Sequence, residues 1–346
     1  MKMRAIMKTK AGTGAELVTV DVPKPGPNDL LIKVKATSIC GTDYHIYQWD
    51  AWAQSRIKPP IIFGHEFAGE VVEVGSQVKY FIPGDFISAE SHIPCGYCYQ
   101  CRNDQRHICG NLKILGVDVN GCFAEYVVLP EVCAWKNDKS LSIEIASIQE
   151  PLGNAVYAVL CDSISGLSVT VFGCGPAGLL TVAVARAAGA GKIIHVIRNE
   201  YARSISQKVG SDVIISYNDP NLKDKVFTET NGVGVDVVME MSGNQKAIAD
   251  GINVLRKGGR FTAFGLSSEE SVNINLNSLI FKGARIMAIN GRLMFKTWYQ
   301  MASLLNSGRL NVSPVITHKL KLEEFEKGFT LMNPLDKKSG KIILVP

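Results

Sequence analysis

The sequence predicts an α/β protein of two domains, a mainly β one followed by a doubly wound parallel sheet. Three observations carry that prediction. The first 150 residues break into short strand-like runs separated by Gly and Pro turns, and from about Ser168 the pattern changes to alternating strands and helices. A chain of 346 residues with 46% apolar content is also long enough to bury two ordinary cores.

In the first part, "LLIKVKATSI" (30–39), "EFAGEVVEVG" (66–75), "FISAESHI" (86–93) and "FAEYVVLP" (123–130) read as strands, with turn punctuation such as "IPGD" (82–85). In the second, "SVTVFG" (168–173) is a buried strand, "PAGLLTVAVARAAG" (176–189) a helix ending at glycine, and "KIIHVI" (192–197) the next strand. The alternation continues through a helix at "RSISQKVG" (203–210) and strands at "DVII" (212–215) and "GVDVVMEMSG" (234–243). A helix at "QKAIADGINVLRKGG" (245–259) and a strand at "RFTAFG" (260–265) follow. Because the β-α unit looks complete near residue 290, the expected division is 1–152 with 293–346, and 153–292. "WYQMASLLNSGRL" (298–310) and "VITHKLKLEEFEKGFTLM" (315–332) read as helix-rich and fold back onto the first domain.

The net charge of +5 is mild, and the basic residues are interspersed with acids rather than gathered into a run that tracks phosphates. That argues against a nucleic-acid partner and suits a small anionic ligand. The opening "MKMRAIMKTKAG" lacks a signal-peptide core, and nothing approaches the ~18 uninterrupted apolar residues of a membrane span. A soluble, cytoplasmic chain without a membrane partner is expected.

Nine cysteines in a chain of this size point to metal or reduced thiols rather than disulfides. "CGYCYQCRNDQRHIC" places Cys95, Cys98, Cys101 and Cys109 so that four thiolates can close a tetrahedral shell around one zinc, with His107 as a competing ligand. A second set is incomplete: Cys40 in "SICGTDYH" and His65 and Glu66 in "FGHEFAGE" supply three zinc-type donors and leave a position free. "GCGPAG" has Gly173, Gly175 and Gly178 in G-x-G-x-x-G spacing between a strand and a helix. There the glycines allow a tight turn, close approach to a pyrophosphate and close helix packing.

Together, "CGTDYH", "GHEFAGEVVEVG", "CGYCYQC" and "GCGPAGL" resemble the zinc-dependent medium-chain alcohol dehydrogenase family over essentially the whole chain. "ICGTDYHIYQWDAWAQSRIKPP", "QEPLGNAV", "GRLMFKTWY" and "PVITHK" are most similar to its threonine-oxidising branch. The resemblance implies a GroES-like catalytic domain and a Rossmann cofactor domain. It implies two zinc ions per chain, a catalytic one on Cys40, His65 and Glu66 and a structural one on the four clustered cysteines. Glu150 matches a carboxylate that approaches or leaves the metal, and Thr42 and His45 match a proton relay. Ala177 matches a position in the cofactor turn, Phe264, Gly265 and Leu266 the loop after a later strand, and Ile289 and Asn290 the nicotinamide side. The implied reaction is oxidation of the L-threonine hydroxyl to 2-amino-3-oxobutanoate: zinc acidifies the hydroxyl, the proton leaves through Thr42 toward His45, and hydride passes to NAD(P). A homotetramer is implied as well.

Alternatives remain at this point. A polyol or simple secondary alcohol suits the same machinery, and a nucleotide-binding protein that has lost catalysis suits the same fold. Arg292 meets either the pyrophosphate or a substrate carboxylate. His92 is either a cleft residue or an ordinary histidine, and His195 and His318 read as structural.

"HVIRNE" (195–200) is unusual for its position, about twenty residues beyond the glycine turn, where an acid normally binds the adenosine ribose. Ile197 stands there, followed by Arg198 and Asn199. Ala202 replaces an arginine of the resembled branch, although Glu200 and Arg203 lie near enough to substitute. The expectation is a cofactor site with weakened rejection of a 2′-phosphate, so that NADP is at least accepted.

Overall fold

Asp29–Ser38 and Glu66–Val74 bury most of their residues and expose Lys33, Lys35 and Glu70 between buried neighbours, and the computed structural model, which describes residues 1–333 and 338–346, pairs them antiparallel. The chain divides into two units, Met1–Pro151 with Ile316–Pro346, and Leu152–Val315.

In the first unit a seven-stranded sheet runs in the spatial order Ala134–Lys136, Phe86–Ala89, Glu66–Val74, Asp29–Ser38, Lys341–Val345, Ile316–Lys321, with Tyr126–Pro130 also on Asp29–Ser38. Ser38 lies opposite Glu66 in the register. The two strand ends, and with them Cys40 and His65, therefore lie side by side. Gly64, at φ +88°, precedes His65; a Cβ there would meet the Phe123 ring at 2.3 Å, so only glycine allows this turn. A three-stranded sheet holds Lys2–Lys8 between Glu16–Asp21 and Ile61–Ile62.

Two expectations for this unit are corrected. "FISAESHI" is not one strand: Phe86–Ala89 belongs to the large sheet and His92–Ile93 pairs with Lys113–Ile114 in another. The segment 315–332 is not simply helix-rich. It opens with strand Ile316–Lys321, which extends the large sheet beside Lys341–Val345, before the helix Phe325–Leu331. Lys319 and Lys321 are exposed on either side of buried Leu320, as suits an edge strand.

The second unit is built on a six-stranded sheet, all parallel, in the order Val213–Ser216, Lys192–Ile197, Ser168–Phe172, Val235–Glu240, Leu255–Ala263, Arg285–Ala288. Its central strands, Ser168–Phe172, Lys192–Ile197 and Val235–Glu240, are buried along nearly their whole length, and Phe172, Ile194, Val196, Val238 and Phe261 share one core. The strand order reverses between Ser168–Phe172 and Val235–Glu240, and ligands of such sheets bind beyond the carboxyl ends of the strands at that switch. The helix expected over 245–259 ends at Val254, because Leu255 already pairs with Val235 and Gly258 takes φ +71°. Residues 293–315, assigned from the sequence to the first domain, fall within this unit, with helix Lys296–Asn306.

Candidate functional site

Cys40, His65 and Glu66 come together at the paired strand ends, each offering a ligand atom within 4.8 Å of the others. Cys40 is the N-cap of helix Gly41–Gln48, and its backbone N–H donates to Asp43 Oδ2 at 2.8 Å. The other Asp43 oxygen faces His65 Nδ1 at 3.5 Å. Burial works against a charge on His65, while Asp43 and Cys40 favour one strongly enough to carry its pKa well above the usual value. Glu66 is fully buried; its Oε2 accepts from the Ser38 hydroxyl and the Lys341 ammonium. Lys341 also donates to the Ile39 carbonyl at 3.0 Å. Burial opposes its charge, but Glu66, Cys40 and Asp43 hold its pKa above the usual lysine value.

Three buried atoms of this cluster, His65 Nδ1, Asp43 Oδ1 and Glu66 Oε1, have no hydrogen-bond partner among the described residues. Orphaned polar atoms cost free energy unless something else meets them. The Cys40 sulfur, a ring nitrogen of His65 and a carboxylate oxygen of Glu66 form the mixed donor set that zinc accepts, so the residues fit a zinc ion. Glu150, in the first turn of helix Gln149–Leu160, is not within the cluster of three, yet its charge bears on Glu66. Ser91 donates to Glu150 Oε1 at 2.5 Å.

Thr42 and His45 lie three residues apart on the Cys40-capped helix and so share a face. Asp50 holds His45: its Oδ2 lies 2.5 Å from His45 Nδ1, while its Oδ1 accepts from the Ala53 N–H at 3.0 Å as the N-cap of helix Ala51–Arg56.

Cys95, Cys98, Cys101 and Cys109 form the second cluster, all free thiols within 4.8 Å of one another. They cannot all ionise unaided. Burial opposes ionisation of Cys95, but hydrogen bonds from Tyr97, Asn111 and Cys98 outweigh it and bring the thiol down to about 6. Burial and the neighbouring Cys98 push Cys101 up to about 12. A divalent cation removes that conflict, and four sulfurs suit tetrahedral zinc with no open position. His107 is buried outside the group of four, and its carbonyl meets His92 Nδ1 at 3.0 Å.

In the second unit, Gly173 follows strand Ser168–Phe172 at φ +119°, and Gly175 caps helix Pro176–Ala187 without any side-chain bond to its first N–H groups. A Cβ on Gly178 would lie 1.7 Å from the Gly173 carbonyl, so this turn closes only around glycines. The bare helix N-terminus beside a glycine cradle fits a dinucleotide's pyrophosphate. Ile197 ends the neighbouring strand buried, Arg198 is exposed, Asn199 Oδ1 accepts from the Tyr201 N–H at 2.8 Å, and Arg203 is bound to Glu200.

Compared with known proteins, the chain is 51% identical over 346 residues to the L-threonine 3-dehydrogenase of Pyrococcus horikoshii, covering 99% of each. It belongs to the zinc-dependent alcohol dehydrogenase family. Residues 26–139 match the alcohol dehydrogenase GroES-like domain and 176–307 the zinc-binding dehydrogenase domain. The L-threonine 3-dehydrogenase of Bacillus subtilis is 47% identical over 346 residues, covering 100% of this chain and 99% of that one. Among solved structures, a zinc-binding dehydrogenase of Sinorhizobium meliloti bound to NADP superposes with a TM-score of 0.92 at 30% identity over 100% of both chains. The 2R,3R-butanediol dehydrogenase of Bacillus subtilis gives 0.88 at 27% identity over 99% of each.

Within this zinc-dependent alcohol dehydrogenase, the remaining residues singled out from the sequence are spread along the second unit. Phe264 and Gly265 donate their N–H groups to the Glu240 carbonyl, Leu266 is exposed, Ile289 is buried with its N–H on the Ala263 carbonyl at 2.9 Å, and Asn290 is exposed. Ala177 is half-buried in the first turn of its helix. Arg292 is buried and donates to Asn154 Oδ1 at 2.9 Å. Sequence reasoning missed Asp43, Asp50, Ser91 and Lys341. Asp43 had a local signal, an acid three residues after a helix N-cap. Lys341 had none, since it meets Glu66 from 275 residues away.

Proposed function

We propose that this chain oxidises the secondary hydroxyl of L-threonine to 2-amino-3-oxobutanoate with NAD or NADP as the acceptor. The observation that carries the reading is the open three-donor cluster of Cys40, His65 and Glu66, in a chain whose full-length relatives at 46–51% identity are L-threonine 3-dehydrogenases. When bound, zinc supplies a Lewis acid for the hydroxyl and the nicotinamide supplies a hydride acceptor.

The chain's own residues do the rest. Cys40, His65 and Glu66 hold the catalytic metal, Cys95, Cys98, Cys101 and Cys109 the structural one, and Ser91 keeps Glu150 in reserve beside the first. Thr42 takes up the hydroxyl proton and passes it to His45. A neutral His45 donates its Nδ1–H to Asp50, which leaves Nε2 as the proton acceptor. Two electrons leave as hydride and one proton leaves through the relay, which balances the oxidation. The glycine turn receives the pyrophosphate. With Ile197 in place of an acid, Arg198 exposed beside it and the Glu200 carboxylate drawn to Arg203, rejection of a 2′-phosphate is weakened, so NADP is accepted. Two zinc ions per chain, a cytoplasmic location and homotetrameric assembly belong to the same reading.

Steady-state oxidation of L-threonine, sorbitol and 2,3-butanediol with each cofactor tests it. The expected result is the highest kcat/KM for threonine and measurable turnover with NADP. Preference for either polyol would replace the substrate assignment with a polyol dehydrogenase of the same family.

A further inference from the structure

We infer that His195 is a positioning residue for dinucleotide binding, anchoring the Gly173 carbonyl so that the glycine turn presents its N–H groups rather than an oxygen to the pyrophosphate. The inference rests on reading that turn as the pyrophosphate site.

His195 lies in strand Lys192–Ile197, opposite Val171 of the neighbouring strand, and is fully buried. An imidazole there costs free energy unless both nitrogens are satisfied. They are: Nε2 lies 2.8 Å from the Gly173 carbonyl and Nδ1 lies 2.7 Å from the Ser206 hydroxyl. A carbonyl only accepts, so the proton sits on Nε2 and Ser206 donates to Nδ1. The Ser211 hydroxyl, 2.8 Å from that of Ser206, completes the chain. Burial keeps the ring neutral by lowering its pKa to about 4, which preserves this tautomer at physiological pH.

The anchor matters because of what it holds. Gly173 has no side chain and sits at φ +119°, a conformation that glycine alone adopts readily. In a trans peptide the carbonyl and the following N–H point in opposite directions. While the oxygen is held toward His195 in the sheet, the Cys174 N–H points away from it. The same oxygen is wedged against the start of the helix, where a Cβ on Gly178 would stand 1.7 Å away. Without the imidazole the part-buried carbonyl loses its donor. A flip toward solvent satisfies it but turns the negative end of the dipole to the side where the helix N-terminus attracts phosphate. His195 touches no reacting atom, so its effect falls on cofactor affinity and not on the chemical step.

The test uses zinc-loaded full-length protein with His195→Leu, His195→Gln and Ser206→Ala, measuring Kd for NADH and NADPH by nucleotide fluorescence and for adenosine by calorimetry. His195→Leu should weaken both dinucleotides about tenfold, the effect of one lost hydrogen bond to the carbonyl that shapes the turn. Adenosine, which has no phosphate, should bind as to wild type, and kcat at saturating cofactor should hold. His195→Gln, whose amide N–H reaches the same carbonyl, should recover most of the affinity. Ser206→Ala, which removes only the support behind the ring, should show a smaller loss in the same direction and keeps the test decisive if His195→Leu does not fold. Unchanged dinucleotide affinity in the Leu and Ala variants, or an equal loss of adenosine, would overturn the role of His195. Wild-type protein that binds adenosine but neither dinucleotide would overturn the reading of the turn itself.

Discussion

Replacing Lys341 by methionine removes the counter-ion of Glu66 while leaving an unbranched side chain of similar length in the same place. Both partners are buried, Lys341 at 2% exposure and Glu66 at 0%, so no solvent reaches the carboxylate when the ammonium is gone. Breaking such a pair from one side costs about 3–5 kcal/mol. The Ser38 hydroxyl stays on the same oxygen and offsets about 1 kcal/mol of that, which leaves an expected loss of about 3 kcal/mol. At roughly 2–4 °C per kcal/mol the thermal midpoint of the metal-bearing unit should fall by about 6–12 °C. The assay is thermal and urea unfolding of wild type, Lys341→Met, Glu66→Gln and the double variant, all with the Cys40–His65–Glu66 site free of metal. Because the double variant buries no bare charge, it should be more stable than Lys341→Met, with a coupling energy of about 2 kcal/mol. Additive single losses, or a Lys341→Met loss below about 1 kcal/mol, would show that Ser38 alone satisfies Glu66 and that the ion pair is incidental.

Acid should weaken the second unit through His195. Its folded pKa of about 4 lies below the ordinary value of 6.5, so the unfolded chain binds the proton first and stability falls as pH drops from 6.5 toward 4. Relative to His195→Gln, wild type should lose about 3 kcal/mol across that window in pH-dependent urea unfolding; a constant difference would mean that the ring is not held neutral. Metal analysis should find two zinc ions per chain, and Cys40→Ser should lose one of them and turnover while keeping the fold; fully active enzyme with a single zinc refutes the two-site assignment. His45→Ala should lower kcat by about 10²–10⁴ with little change in threonine KM. In Asp50→Asn the amide oxygen still caps Ala53, so a fall in kcat there isolates the carboxylate's hold on His45 from its hold on the helix. Arg198→Ala should reduce the NADP-to-NAD ratio of kcat/KM about tenfold, the effect of one lost charge-assisted contact; an unchanged ratio assigns Arg198 to solvent.

What could be read from the sequence was whatever is encoded within a few residues. The spacing of Cys95, Cys98, Cys101 and Cys109, the glycines of 173–178 and the apolar strands around them are local patterns, and the structure brings each set together. Cys40 and His65 are 25 positions apart, and only the antiparallel register of their strands makes them neighbours; the donor types hinted at the cluster, and the register Ser38 to Glu66 built it. Lys341 was invisible because its meaning comes from a partner far away in the chain. The misread elements failed for a related reason. Leu255 continues a helical apolar spacing, but pairing with Val235 outweighs propensity, and Ile316–Lys321 becomes a strand because Lys341–Val345 offers it an edge.

The strand Lys341–Val345 sits between Asp29–Ser38 and Ile316–Lys321. During synthesis, the polypeptide bearing Cys40, His65 and Glu66 emerges from the ribosome long before the piece that completes its sheet and supplies the ammonium for Glu66. The whole of Leu152–Val315 is translated in between, about 10–30 s at usual elongation rates. Over that interval the nascent sheet has an open edge at Thr37–Ser38, and a buried-to-be carboxylate lacks its cation. The dinucleotide unit, continuous in the chain, is free to fold meanwhile. Early zinc capture by the clustered cysteines, all within fifteen residues of one another, offers the unfinished half a foothold, so a cell short of zinc should show this protein failing first at birth rather than in use.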